Sequence, residues 1–149
     1  MSLSTVRTKI KTLMEAVTGI GTVYDYKRYV NDWETYKNLF VKDSKVNTWE
    51  IQRTTGESES YGGSGGRENR THNFIIRGFY AIDDKLASEK TFQDLTDLVV
   101  TAFRDQPTLS GIANIVNFPI TWTFSDGKLG DVLVHIVEIN LSVEERIIF

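Results

Sequence analysis

The chain has no cysteine, only two prolines and only two histidines among its 149 residues. Without thiols it has no disulfide staple, no thiolate nucleophile and no cysteine-held zinc, so its stability must come from burial; folding in a reducing cytosol is compatible with this. His72 and His135 are too far apart in sequence to form a common metal-ligand motif, which favours structural roles for both. Positive charge is also short. Seventeen Lys and Arg face 20 Asp and Glu, a net charge of -3, and that argues against general affinity for nucleic acid. No run approaches the roughly 20 apolar residues that cross a bilayer as a helix. The N-terminal stretch MSLSTVRTKIKTLMEAV lacks an unbroken apolar segment with a cleavage site, so no signal peptide is expected. The sequons at Asn69 and Asn140 therefore carry little weight.

What is present fits a single α+β domain over residues 1–149. Val6, Ile10, Leu13, Met14 and Val17 recur at spacings of three and four, which predicts an amphipathic helix over residues 4–18 that Gly19 and Gly21 end. Thr22 to Tyr26 is β-branched and aromatic and predicts a short strand. Asn31 with Glu34 resembles a capping box, opening a helix to about Val41 with Trp33, Tyr36, Leu39 and Phe40 along one side. Val46 to Thr54 and Asn73 to Ile82 predict two strands of a long hairpin. The stripe Phe92, Leu95, Leu98, Val99, Ala102, Phe103 predicts a helix after Asp83 and Asp84, ending near Asp105. Residues 113–124 predict a strand in which Pro119 demands an edge or a bulge. Ser125 to Lys128 supplies a turn, and Asp131 to about Glu144 returns as the longest strand. The expected order is helix, strand, helix, strand, strand, helix, strand, strand, with a mostly antiparallel sheet.

Between the two hairpin strands lies TTGESESYGGSGGRENRTH. Its glycines and serines make ordering costly and Tyr61 is its one aromatic, so a flexible arm is expected over about residues 55–71. Such an arm is either a tolerated insertion or a segment that orders against a partner or a neighbouring copy. Gly56, Glu57, Glu59, Tyr61, Gly63, Gly66, Arg67 and Arg70 are its candidate contact residues. In the last strand Leu133, Val137, Ile139, Leu141 and Val143 mark an inner face. Val132, Val134 and Ile136 make an apolar patch on the other face, which a neighbour or the chain's own helices must cover.

Chemistry is not apparent in the residues. No serine stands in a G-x-S-x-G elbow, and Gly62 to Arg67 lacks the Gly-Lys-Ser/Thr ending and following helix of a phosphate loop. The pair Asp83-Asp84 reads as a helix cap and Glu144-Glu145 as a solvated chain end. No enzyme, cofactor or metal is expected, and contact surfaces point to self-association.

Across nearly its full length the succession resembles tail terminator proteins of long-tailed phages and the related tail-completion and neck proteins. The residues that carry this are the helix Val6 to Val17, the strand Thr22 to Tyr26, the hairpin Val46 to Thr54 with Asn73 to Ile82, the helix Phe92 to Phe103, and the pair Ile115 to Phe124 with Val132 to Val143. The resemblance implies a homo-oligomeric ring, a hexamer, that sits on the last ring of tail tube protein, halts tube growth and offers a surface to the head-tail connector. DNA would pass through the channel without specific binding, no membrane would be involved, and the mature location would be the virion. A head-tail connector or head-closure protein and a tail-tube subunit are alternatives of the same class. From a different class comes a small-molecule-binding domain with Trp33, Trp49, Tyr80 and Trp122 around a pocket.

Overall fold

A computed structural model describes residues 3–28, 41–42, 45–61, 66–109, 114–129 and 132–148. The first helix, α1 (Leu3–Glu15), follows the predicted spacing: Val6, Ile10 and Met14 are fully buried on one side. The chain then turns through Gly19 at φ 90°, a left-handed conformation that glycine adopts without steric cost. Strand β1 (Thr22–Tyr24) follows. The helix expected over residues 31–41 lies outside the described residues, except that residue 41 belongs to the short strand β2 (Val41–Lys42).

Four long strands dominate: β3 (Lys45–Tyr61), β4 (Arg67–Ala81), β5 (Asn114–Leu129) and β6 (Val132–Ile148). A 3-10 turn (Asp84–Leu86) and helix α2 (Ser88–Asp105) separate β4 from β5. The sheet order is β1-β3-β4-β6-β5, with β2 pairing beside β3; β1 runs parallel to β3 and every other pairing is antiparallel. The class is therefore α+β with a mostly antiparallel sheet. Strands take a larger share than the expected order gave them.

Both described helices pack on one face of the sheet. There Trp49 and Ile51 of β3, Phe74 and Ile76 of β4, Val116 of β5 and Val137, Ile139, Leu141 and Val143 of β6 meet Val6, Ile10 and Met14 of α1 and Phe92, Leu95, Val99 and Phe103 of α2. Helix α2 lies along the strands. Its first residue bonds His135, and just past its end the Pro107 carbonyl accepts the N–H of Val116 at 2.7 Å. Its 18 residues span about 27 Å, whereas strands of 15 to 17 residues span about 50 Å or more. The sheet therefore outruns the helix.

Four expectations change. The ladder between β3 and β4 continues to Tyr61↔Arg67, so the arm is strand, and only residues 62–65 of it lie outside the described residues. Strand β6 accompanies it, pairing Arg67↔Ile148 through Thr71↔Glu144, and this third strand supplies the hydrogen bonds that the local composition does not advertise. Ser125 to Lys128 is strand, and the β5-β6 ladder runs on to Leu129↔Val132. Asp83 makes no side-chain cap bond, and Leu133, expected inside, is 54% exposed. Pro119 meets its expectation on both counts: β5 is an edge strand, and its register shifts between Asn117 and Thr121.

Candidate functional site

Strand alternation divides the arm between two faces. Gly56, Ser58, Glu68, Arg70, His72 and Glu145 share the face that carries the helices farther along the sheet. Glu57 and Glu59 lie opposite Thr71 and Asn69 on the other face. Tyr61 and Arg67 close the ladder, Gly66 is buried just before β4, and Gly63 lies outside the described residues. Arg70 holds Glu68, which also accepts a hydrogen bond from Ser58 at 2.7 Å. These bonds, that from Arg70 first, keep the Glu68 carboxyl below its ordinary range.

Behind this exposed pair sits a buried one. His72 is 4% and Glu145 1% exposed, and they border a groove of about 380 Å³ together with Arg53, Gly56, Glu57, Ser58 and Arg70. Arg53 Nη1 lies 3.4 Å from His72 Nδ1. A guanidinium only donates, so Nδ1 accepts and the ring proton sits on Nε2. That nitrogen is 3.9 Å from Glu145 Oε1, too far for a hydrogen bond, and neither His72 Nε2 nor Glu145 Oε2 has a hydrogen-bond partner. Burial lowers the histidine pKa first; Glu145 opposes this, and the Arg53 and Arg70 cations reinforce it. The geometry alone would suggest an ion pair, but a neutral His72 facing a carboxylate is the better description at neutral pH. Glu145 is thus no solvated chain end.

At the opposite end of the same face, Ser88 Oγ lies 2.9 Å from His135 Nε2, and His135 Nδ1 lies 2.9 Å from Asp126 Oδ1. No sequence motif announced this Ser-His-Asp chain. Its exposure is the reverse of what a nucleophile needs. Ser88 is 4% exposed and its oxygen already accepts the N–H of Asp83 at 2.8 Å, whereas the Asp126 side chain is 72% exposed. A cleft of about 180 Å³ touches His135 and Asp126 but not Ser88. The arrangement pins the start of α2 to the β5-β6 hairpin and keeps Ser88 buried.

The face away from the helices has two parts. Near one end Val46, Phe79 and Val134 are buried together, with Ala81, Val132 and Ile136 packed against them. Val134 is fully buried within the single chain, which removes it as a free contact residue; Val132 and Ile136 are partly buried. Farther along, the face is polar. Glu50, Arg77, Glu138 and Thr123 form one cross-strand row, and Gln52, Ile75, Asn140 and Thr121 the next. Arg77 Nε donates to Glu138 at 3.0 Å. Glu50 is buried, and desolvation raises its pKa despite the Arg28 N–H it accepts at 3.3 Å and the nearby Arg77 and Lys27 charges.

Trp49 is core, Tyr80 stacks on Phe92 and Trp122 stands on the edge strand, while Trp33 lies outside the described residues. Among the described residues no three His, Asp or Glu are grouped to hold a metal ion, and no helix is long and apolar enough to cross a membrane. In comparisons with known proteins, the chain matches no family model and no curated protein.

Proposed function

We propose that this chain is a structural assembly protein of a long-tailed phage virion, acting without catalysis as the tail terminator. Copies close into a ring, six by the resemblance, which caps the tail tube and presents its far side to the head-tail connector. The observation that carries this reading is the sheet. Four strands of 15 to 17 residues alternate in direction, both described helices cover one face, and β3, β4 and β6 continue together as a ribbon past the row of Asn114.

A cap must be stiff along the tube axis and must offer different surfaces at its two ends. A continuous ladder gives the stiffness, and the ribbon makes the two ends of the subunit unlike. The polar face carries Glu57, Glu138 and Glu144 against Arg77 and Arg146. Turned to a channel, this surface repels phosphate at the short distances where screening is incomplete, so DNA slides without sticking. The ribbon, with Glu57, Glu59, Arg67 and Arg70, is the contact offered to the tube.

Light scattering with negative-stain imaging over a range of concentrations tests the reading. Discrete rings that arrest elongation of tube subunits are expected. Long cylinders would make the chain a tube subunit, rings that bind only connector would make it a neck protein, and a monomer at every concentration, with or without virion components, would end the assembly reading.

A further inference from the structure

We propose that the copies meet head to tail through an aromatic knob on β5, Phe118 and Trp122, seated in a hollow beside α2 of the next copy. This rests on the ring reading above and names its lateral contact. Phe118 is 55% and Trp122 38% exposed on the outermost strand. They flank Pro119, where the chain has no N–H to offer and the register with β6 is broken. Proline and a bulge blunt an edge against strand addition. A neighbour at β5 is therefore met by side chains rather than by a new ladder.

On the far side of the same helix-bearing face lies a hollow of about 330 Å³, lined by Thr18, Gly19, Tyr80, Asp94, Leu95 and Leu98. Gly19 is tied to β3 by the Asn47 side chain at 2.8 Å, so the hollow lies towards β1 and the knob lies on the opposite edge. Leu98 is 49% exposed, breaking the polar outer surface of α2.

The two patches also match in hydrogen bonding. Among the described residues the Trp122 indole N–H and the Asp94 carboxylate have no hydrogen-bond partner. An indole lodged against Leu95 and Leu98 with its N–H on Asp94 satisfies the donor as it buries the ring, the arrangement that places tryptophan so often at interface centres. Because knob and hollow are different patches on one molecule, the contact is heterologous, as a closed ring requires.

The test uses two variants of the full chain, Phe118→Ala/Trp122→Ala and Leu98→Glu, all at exposed positions. Each alone should need a concentration roughly tenfold or more above that of the wild type to assemble. Mixed in equal amounts they should stop at a one-to-one dimer, since each keeps one intact patch. As a check independent of folding, Leu98→Cys and Trp122→Cys in this cysteine-free chain should oxidise to a mixed disulfide dimer when combined, and neither should do so alone. Wild-type rings together with unimpaired assembly of both variants, or no mixed disulfide, would overturn the contact and leave the ring reading standing. A monomeric wild type would overturn both.

Discussion

Gly78→Ala is the sharpest test of the core. Gly78 pairs with Trp49 across β3 and β4, and a Cβ on it would stand 2.5, 2.6 and 2.8 Å from three carbons of the indole. Ordinary contact needs about 3.5 Å or more. The ring has nowhere to retreat: Trp49 is fully buried, Phe92 packs against it at 5.7 Å between centroids, and its Nε1 donates to Asn47 Oδ1 at 3.0 Å. Asn47 in turn holds the Gly19 carbonyl, so a displaced indole strains the turn that leads into β1. Overpacking of this kind costs about 1 to 3 kcal/mol, and a clash of about 1 Å against a pinned ring belongs at the upper end. Alanine recovers about 0.5 to 1 kcal/mol of backbone entropy, leaving a net loss of about 2 kcal/mol. For a chain of this size that lowers Tm by about 4 to 8 °C. Urea unfolding followed by tryptophan fluorescence, at matched protein concentration, measures it. Gly56→Ala is the control, because its Cβ would meet nothing nearer than 3.7 Å. Equal midpoints for Gly78→Ala and wild type, or an equal loss in the control, would refute the packing described here.

Three further outcomes follow from the polar groups. His72 binds a proton less readily folded than unfolded, so its contribution to stability is complete above about pH 6.5 and is lost as pH falls through the lowered folded value. His72→Gln should therefore flatten the loss of stability on acidification, and parallel pH curves for the two proteins would refute the neutral buried histidine. Glu50 has the opposite sign: its folded pKa is raised, so Glu50→Gln should be at least as stable as wild type at neutral pH, with any advantage fading as pH falls towards the ordinary carboxyl range. Chemical denaturation of the two proteins at several pH values measures this, and a clear loss in the variant at neutral pH would overturn it. Ser88→Ala should cost about 1 to 3 kcal/mol by stranding the Asp83 N–H and His135 Nε2, while the exposed Asp126→Asn should stay within about 0.5 kcal/mol. Ester hydrolysis that depends on Ser88 would contradict a purely structural role for this chain.

The core was legible where one period ruled. In α1 and α2 the three-and-four spacing picked out Val6, Ile10, Met14, Phe92, Leu95, Val99 and Phe103, all of them buried. In β6 alternation did the same for Val137, Ile139, Leu141 and Val143. Leu133 fits that alternation and is nevertheless exposed, because it lies opposite Lys128 beside the end of the ladder with β5. Leu98 departs in a similar way: it stands at the border of the helical stripe, 49% exposed beside the buried Leu95 and Val99. Period tells which side a residue takes, and cover depends on what lies across from it.

The arm failed for a different reason, and the same reason hid the buried pair. Gly56, Ser58, Glu57 and Glu59 are poor strand formers, and local propensity alone makes them loop. Their ladder is fixed from outside by β4, which is itself held by β6 as far as Ile148. A signal for this was present in the last residues. Continuing the alternation of Val137, Ile139, Leu141 and Val143 puts Glu145 and Ile147 on the same inward face, with Glu144 and Arg146 outward. Had the strand been carried past Glu144, an acid would have appeared at a core-facing position, and a core-facing acid calls for a partner within reach. The only histidine outside the α2 contact, His72, then becomes its natural neighbour one row along β4. A buried carboxylate that lacks one hydrogen bond is tolerated only where something else over-determines the backbone. Here the ladder does so, since Glu145 is paired on both sides, with Arg70 of β4 and Asn114 of β5, and for that reason this end of the sheet can carry polar groups on both faces and still hold its shape.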